Sequence, residues 1–398
     1  MGTFLLLIVL GVGKLNLFLD ISGSMKGYVS TKSEFSRFIY SLRDMGLEAS
    51  ITHINTYFIS QNVAKSALVP EKIAFNRGVF SGGVTNLVAA LREIKRHPED
   101  INVLVTDWVL SLSKESALSG YDLYSMKKEL LKLVSGKYTI AFIGVLSDFD
   151  GIVYSETYSI QHTGLPKFKW KGKRPFYILI VSENKSLFKR VFRIINNFFS
   201  ENQLESRALY LPSVSVLLPY INLNDIKVFP PRGKSNFIMN KSSETDTITE
   251  VEYVLISEVK GRKNIVTKVP VTLNGIDKNL MDLFKRSNVT VNYEISVTKG
   301  PVQFPGFDVE YESNMVVFRY NKLFTKFLKS KKSAVLDVKF VPEEVRVTGL
   351  WEDWSTDNDA LRENAGKTLY LSETLNFLVK TYINQNIREF TYRFIFMR

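Results

Sequence analysis

From residue 14 to about residue 205 the chain alternates two kinds of apolar spacing. Short apolar runs at 15–21, 48–58, 101–107, 138–146 and 176–181 have the length and β-branched content of buried strands. Between them, apolar residues recur at three- and four-residue steps. One such series is Phe35, Phe38, Ile39, Leu42 and Met45, and a second is Leu87, Ala90, Leu91 and Ile94. Met126, Leu130, Leu131 and Val134 form a third, and Leu187, Val191, Ile194, Ile195 and Phe198 a fourth. That spacing places one apolar stripe on each helix. Strands alternating with helices predict an α/β domain with a doubly wound, mostly parallel sheet covered on both faces.

Beyond about residue 205 the pattern changes. Runs at 250–259, 265–273, 289–297, 315–320, 335–340 and 390–396 alternate or are β-branched. Turn sequences such as Lys260-Gly261-Arg262-Lys263 and Lys299-Gly300-Pro301 separate them. Strands at this spacing predict a β-rich region of sandwiches, immunoglobulin-like by analogy. Helix-prone stretches at 278–286 and 320–329 interrupt it. The expected organisation is an α/β domain over 14–205, a β-sandwich-like domain over 206–300 and a second β-rich domain over 301–398.

Candidate chemistry begins where the first strand ends. Asp20-Ile21-Ser22-Gly23-Ser24 follows the apolar run Leu15-Asn16-Leu17-Phe18-Leu19. A carboxylate and two hydroxyls at two-residue steps leave a strand tip on one side and can converge on one ion. Oxygen-only ligands suit Mg²⁺ or Mn²⁺ better than zinc or copper. Ser81-Gly82-Gly83-Val84-Thr85-Asn86-Leu87 places another hydroxyl, Thr85, just before a helix. The strand ending Val105-Thr106-Asp107 brings a second carboxylate. Open α/β sheets hold their sites beyond such strand ends.

The set Asp20, Ser22, Ser24, Thr85 and Asp107 resembles the metal-ion-dependent adhesion site of von Willebrand factor A domains, the integrin I-like family. The resemblance implies that Ser22, Ser24 and Thr85 contact Mg²⁺ directly or through water, while Asp20 and Asp107 hold coordinating waters. It also implies a sixth position filled by a carboxylate from a partner protein. One departure is visible: family members often carry glycine after the second aspartate, and here Trp108 follows Asp107.

Composition narrows the alternatives. The 398 residues contain no cysteine, which excludes disulfides, thiolate metal sites and cysteine nucleophiles. His53, His97 and His162 are the only histidines and lie far apart in sequence, which argues against zinc hydrolase or Ser-His chemistry. The net charge of +12 favours an acidic partner. Lys167-Phe168-Lys169-Trp170-Lys171-Gly172-Lys173-Arg174 is the densest basic cluster. Interleaved rings and cations can stack bases, but strict alternation also describes a hairpin with lysines outward. The hairpin is the favoured reading, and nucleic-acid binding the less favoured one. Asp357, Asp359 and Glu363 lack the spacing of an EF-hand loop. They are read as a polar loop anchored by Trp351 and Trp354.

Residues 4–12 form an apolar run too short to span a bilayer. Its small-x-small end, Gly11-Val12-Gly13, leans towards export or a bacterial cell envelope, against a cytoplasmic location. The expected function is a Mg²⁺- or Mn²⁺-dependent protein-binding module, not an enzyme, with no transmembrane span and no catalytic residues. The alternatives are a component that self-assembles into a homo-oligomer through the same site, or a Mg²⁺-dependent phosphatase or nuclease. The last lacks a second metal cluster and a phosphate loop.

Overall fold

The computed structural model describes residues 13–109, 121–158, 164–213, 218–221, 227–229, 235–240, 248–255, 265–274, 288–299, 304–312, 315–331, 333–387 and 389–397. The expected turns at 260–263 and 299–301 and the helix-prone stretch 278–286 lie wholly or mainly outside these residues. Contacts divide the chain into two compact units. The first comprises Met1–Val214, Asp277–Asn288 and Val347–Tyr382; the second comprises Ser215–Ile276, Val289–Arg346 and Ile383–Arg398. Neither unit is a single run of sequence.

The first unit is a mixed α/β layer structure. Its strands are β1 (Gly13–Asp20), β2 (Ile51–Ile59), β3 (Val63–Ser66), β4 (Ile101–Thr106), β5 (Thr139–Tyr154), β6 (Lys167–Ser182) and β7 (Ser206–Leu211). They form one seven-stranded sheet in the order β3-β2-β1-β4-β6-β5-β7. The helices are α1 (Glu34–Glu48), the single turn α2 (Pro70–Ile73), α3 (Leu87–Ile94), α4 (Tyr121–Val134) and α5 (Lys185–Glu201). Leu15, Leu17, Leu19, Val103, Val105, Ile178 and Ile180 alternate onto one sheet face and share a core with Phe35, Phe38 and Leu42 of α1 and Phe188 and Val191 of α5.

The sheet is not mostly parallel as expected. Strand β1 runs parallel to β2 and β4, but β2–β3, β4–β6, β5–β6 and β5–β7 are antiparallel pairs. The reason is the length of β5 and β6, each 16 residues and each continuing well past its expected boundary. A parallel partner requires a crossover, usually helical, and residues 155–166 carry no helical spacing. The chain instead folds back, in continuous register from Thr139 opposite Ser182 to Tyr154 opposite Lys167. The basic cluster at 167–174 is therefore the outer half of β6, with Lys167, Lys169, Lys171 and Lys173 exposed on one face and Phe168 and Arg174 buried on the other.

The opposite face of β5 and β6 is covered from far along the chain. Trp351 and Trp354 lie over Gly144, where an added Cβ would stand 2.9 and 2.7 Å from their rings. Trp351 also meets Phe142, centroids 5.7 Å apart, and the Arg207 guanidinium stacks 4.3 Å from the Trp354 ring centre. The Tyr177 hydroxyl bonds Thr368 Oγ1 at 2.9 Å, while on the core face Arg174 donates to the Ala365 carbonyl at 2.8 Å. Asp359 accepts hydrogen bonds from Ser155 Oγ, Glu156 N and both donors of Thr157. That carboxylate clamps the end of β5, and the two tryptophans anchor the loop that carries it.

The described residues of the second unit form two five-stranded sheets. Its strands in chain order are β8 (Leu218–Ile221), β9 (Lys227–Phe229), β10 (Ser235–Asn240), β11 (Ile248–Leu255), β12 (Ile265–Asn274), β13 (Asn288–Lys299), β14 (Phe307–Glu312), β15 (Met315–Tyr320) and β16 (Ser333–Thr348). Two short strands of the first unit follow, β17 (Ser355–Thr356) and β18 (Thr368–Leu369), before β19 (Phe390–Met397) closes the series. One sheet is ordered β10-β11-β19-β16-β13; in the other, β14-β15-β12-β8, β9 also pairs with β12. Strand β19 lies parallel to β11 and antiparallel to β16. Phe318 and Phe307 of one sheet meet Phe394 and Phe396 of the other, with centroids 4.8 to 6.0 Å apart along the cluster. Phe324, from helix α6 (Lys322–Lys331), joins them. A further helix, α7 (Leu371–Asn386), lies mostly in the first unit, in a stretch to which the sequence pattern assigned no element. No helix among the described residues is long and apolar enough to cross a membrane.

A buried asparagine ladder pins β1 between its neighbours. Asn16 lies opposite Asn55 in β2 and Asn102 in β4. Its amide donates to Asn102 and Asp100 and accepts from Asn55, at 2.9 to 3.1 Å. A one-residue slip would break every bond, so the ladder fixes the register that aims the strand tips. The substitution Asn16→Leu keeps the volume but orphans these partners. Urea unfolding is expected to show a loss of about 1–3 kcal/mol for each group left unpaired.

Candidate functional site

The tips of β1 and β4 and the start of α3 meet at one edge of the sheet. Asp20 ends β1 with a fully buried side chain. The chain then turns through Ser22 and Ser24 into a short 3-10 turn, Met25–Tyr28. The Gly82 loop is stitched to this turn: Gly82 N donates to Ile21 O at 2.8 Å and Gly23 N donates to Gly82 O at 2.9 Å. Thr85 stands just before Asn86, whose side chain caps α3 by accepting from Ala89 N at 2.9 Å. Helix α3 is held in turn by Glu129 of α4, which receives Lys95, Lys132 and Arg92. Burial opposes that charge, yet the hydrogen bonds from Lys95, Lys132 and Arg92 hold the carboxyl down at about 2.

Four of the five expected residues form one hydrogen-bonded cluster. Asp20 Oδ1 accepts from Ser22 N at 2.8 Å and from Thr85 Oγ1 at 3.0 Å. Ser22 Oγ and Ser24 Oγ lie 2.9 Å apart. Ser22 and Thr85 are buried, and Ser24 is half-buried. Asp107 is also fully buried, and its charge acts on Asp20. Asp107 Oδ1 accepts from Val109 N at 3.2 Å, whereas Oδ2 is buried without a hydrogen-bond partner among the described residues. Such an atom is costly unless something completes it.

One further residue belongs to the site that the motif did not include, and a buried cation acts on the site electrostatically. Thr106 Oγ1 donates to Asp20 Oδ2 at 2.8 Å and accepts from Trp108 N at 3.0 Å, so it fixes the second oxygen of Asp20. Arg174 is buried on the core face of β6 and feels the Asp107 charge; burial would push its guanidinium down, but Tyr28, Asp107 and Tyr177 hold it up. Its presence was readable from alternation, since a strand that sends Lys173 outward sends the next residue inward. Trp108 takes a left-handed backbone, φ 59°, which is uncommon for a bulky residue. This is a conformation that glycine adopts without strain, and here the indole compensates by packing edge-on against Phe142 at 4.8 Å.

Comparison of the chain with protein-family models, curated proteins and solved structures returns no match. The chemistry of the site therefore rests on its own geometry. Among the described residues no three His, Asp or Glu side chains gather into a metal-holding group. The cluster offers one carboxylate and three hydroxyls instead, and Asp107 adds a second buried carboxylate at the next strand tip. That donor set fits a hard divalent cation, and the unpartnered Asp107 oxygen is where such an ion or its water would satisfy a buried acceptor.

Burial, then the neighbouring Asp107 charge, raises the Asp20 carboxyl well above the usual carboxylate range, to about 7. The native state thus holds a proton that the unfolded chain releases above its ordinary value of 3.8. The stabilisation is complete below that value and is lost as pH rises towards about 7. In EDTA, the thermal midpoint of the wild type is expected to fall over this window relative to Asp20→Asn. Parallel pH profiles for the two proteins would refute the assignment.

Proposed function

We propose that the first unit is a von Willebrand factor A-like module that binds a partner protein through a divalent cation, Mg²⁺ or Mn²⁺. The observation that carries this reading is the convergence of Asp20, Ser22, Ser24 and Thr85, with a buried Asp107 oxygen left to be completed. Ser22, Ser24 and Thr85 would hold the ion through neutral oxygens, and the two aspartates would hold it through water. With few charged ligands the cation stays electrophilic, so a carboxylate from a partner Asp or Glu completes it strongly. The second unit serves as a scaffold or second contact surface, and its two packed sheets are consistent with an immunoglobulin-like sandwich.

The backbone serves this chemistry through pre-organisation. Thr106 and the Gly82 stitch hold Asp20 and Ser22 in place before any ion arrives, so little order has to be gained on binding. The cation also relieves the like-charge burden of two buried aspartates.

Calorimetric titration of the full chain with MgCl₂ tests the metal directly. At about one hundred times its Kd, Mg²⁺ is expected to stabilise the fold by about 2.7 kcal/mol. Asp20→Ala and Thr85→Ala should lose this stabilisation while remaining folded by circular dichroism. Capture of a partner from the native cell should disappear in EDTA and with either variant. Binding that persists in both would exclude the reading, and a metal-dependent change in the protein's own mass would point to self-assembly.

A further inference from the structure

The outer halves of β5 and β6 project as a two-stranded arm beside the Asp20 loop. Gly151 of the arm lies against Gly27, where an added Cβ would approach the Gly27 Cα to 2.5 Å. The Tyr154 hydroxyl lies beside Gly23, at 3.5 Å from the position a Cβ would take there. The arm is therefore a wall of the site loop. Its lysines fall into two classes. Lys173 pairs with Glu34 at 2.6 Å and Asp148 at 2.9 Å, and Lys171 lies 3.9 Å from Asp150. Lys167 and Lys169 have Tyr154 and Ile152 as cross-strand neighbours and make no ion pair among the described residues.

These two lysines border a cleft of about 620 Å³, with Arg77, Asp150 and Ile152 also on its walls. Arg77 Nη2 reaches the Asp150 carbonyl at 3.3 Å and, among the described residues, pairs with no carboxylate. Three cations thus face one acid, around an isoleucine that is 42% exposed. Phe168, the ring that lines the cleft, is buried and offers no face for a base to stack on.

We propose that this cleft is the docking groove for an acidic protein segment, continuous with the residue whose carboxylate completes the Asp20 site. The inference rests on the metal-dependent reading of that site and adds the character of the partner: carboxylates for Lys167, Lys169 and Arg77, and an aliphatic side chain for Ile152. Complementary charge at the rim accelerates encounter and selects against basic partners.

Fluorescence anisotropy of the full chain with a labelled Glu/Asp/Leu peptide tests the groove, with its Gln/Asn/Leu counterpart as control. Lys167→Glu with Lys169→Glu changes only exposed positions and should weaken peptide binding about tenfold or more, with a flatter salt dependence. Lys167→Arg with Lys169→Arg should retain it. Loss in the reversed variant together with full binding in EDTA and in Asp20→Ala would keep the groove and remove the metal reading. Unchanged binding in the reversed variant, with loss in EDTA, would overturn the groove and keep the metal. No peptide binding by the wild type, or tighter binding of an oligothymidine than of the peptide, would overturn the proposed partner.

Discussion

Two buried aspartates at adjacent strand tips set the terms for the rest of the first unit. Placing like charges where water cannot reach them is expensive, and the surrounding chain answers with donors. Asp20 takes hydrogen bonds from a backbone N–H and from two threonine hydroxyls. The buried Arg174 guanidinium, kept charged by Tyr28, Asp107 and Tyr177, offsets part of that charge. Even so, one oxygen of Asp107 remains without a donor among the described residues. Burial of a shifted carboxyl beside one with an unpartnered oxygen is the physical feature on which the proposed reading of this site rests.

Rigid delivery of the strand tips follows from features outside the site. The asparagine ladder crosses β2, β1 and β4 a few residues back from the tips and fixes their register. Parallel strands in fixed register end together, so Asp20 and Thr106 emerge side by side. The Glu129 ion cluster then sets α3, and through it the position of Thr85. Local polar networks thus translate into placement of a few oxygens.

Much of this was legible in the sequence, and the failures have physical causes. The helix stripes at 35–45, 87–94 and 187–195 follow a period that packing did not override, and β1 and β4 read as buried runs. The four clustered site residues came from spacing at strand ends, where geometry is local. Thr106 was missed because a strand-terminal threonine looks like any β-branched residue until its partner is known. The antiparallel turn from β5 to β6 was missed because a continuous apolar strand carries no mark of direction. Helix α7 was hidden by its mixed polarity, with buried Leu375, Leu378, Val379 and Tyr382 among polar residues.

The return of residues 347–382 to the first unit has a consequence for biosynthesis. When the ribosome has made the seven strands, the sheet surface around Phe142, Gly144 and Tyr177 still awaits Trp351, Trp354 and Thr368. Those residues emerge only after most of the second unit has been translated. The nascent α/β layer must therefore wait, partly uncovered, while an intervening body is synthesised, and its completion is a late, long-range closure.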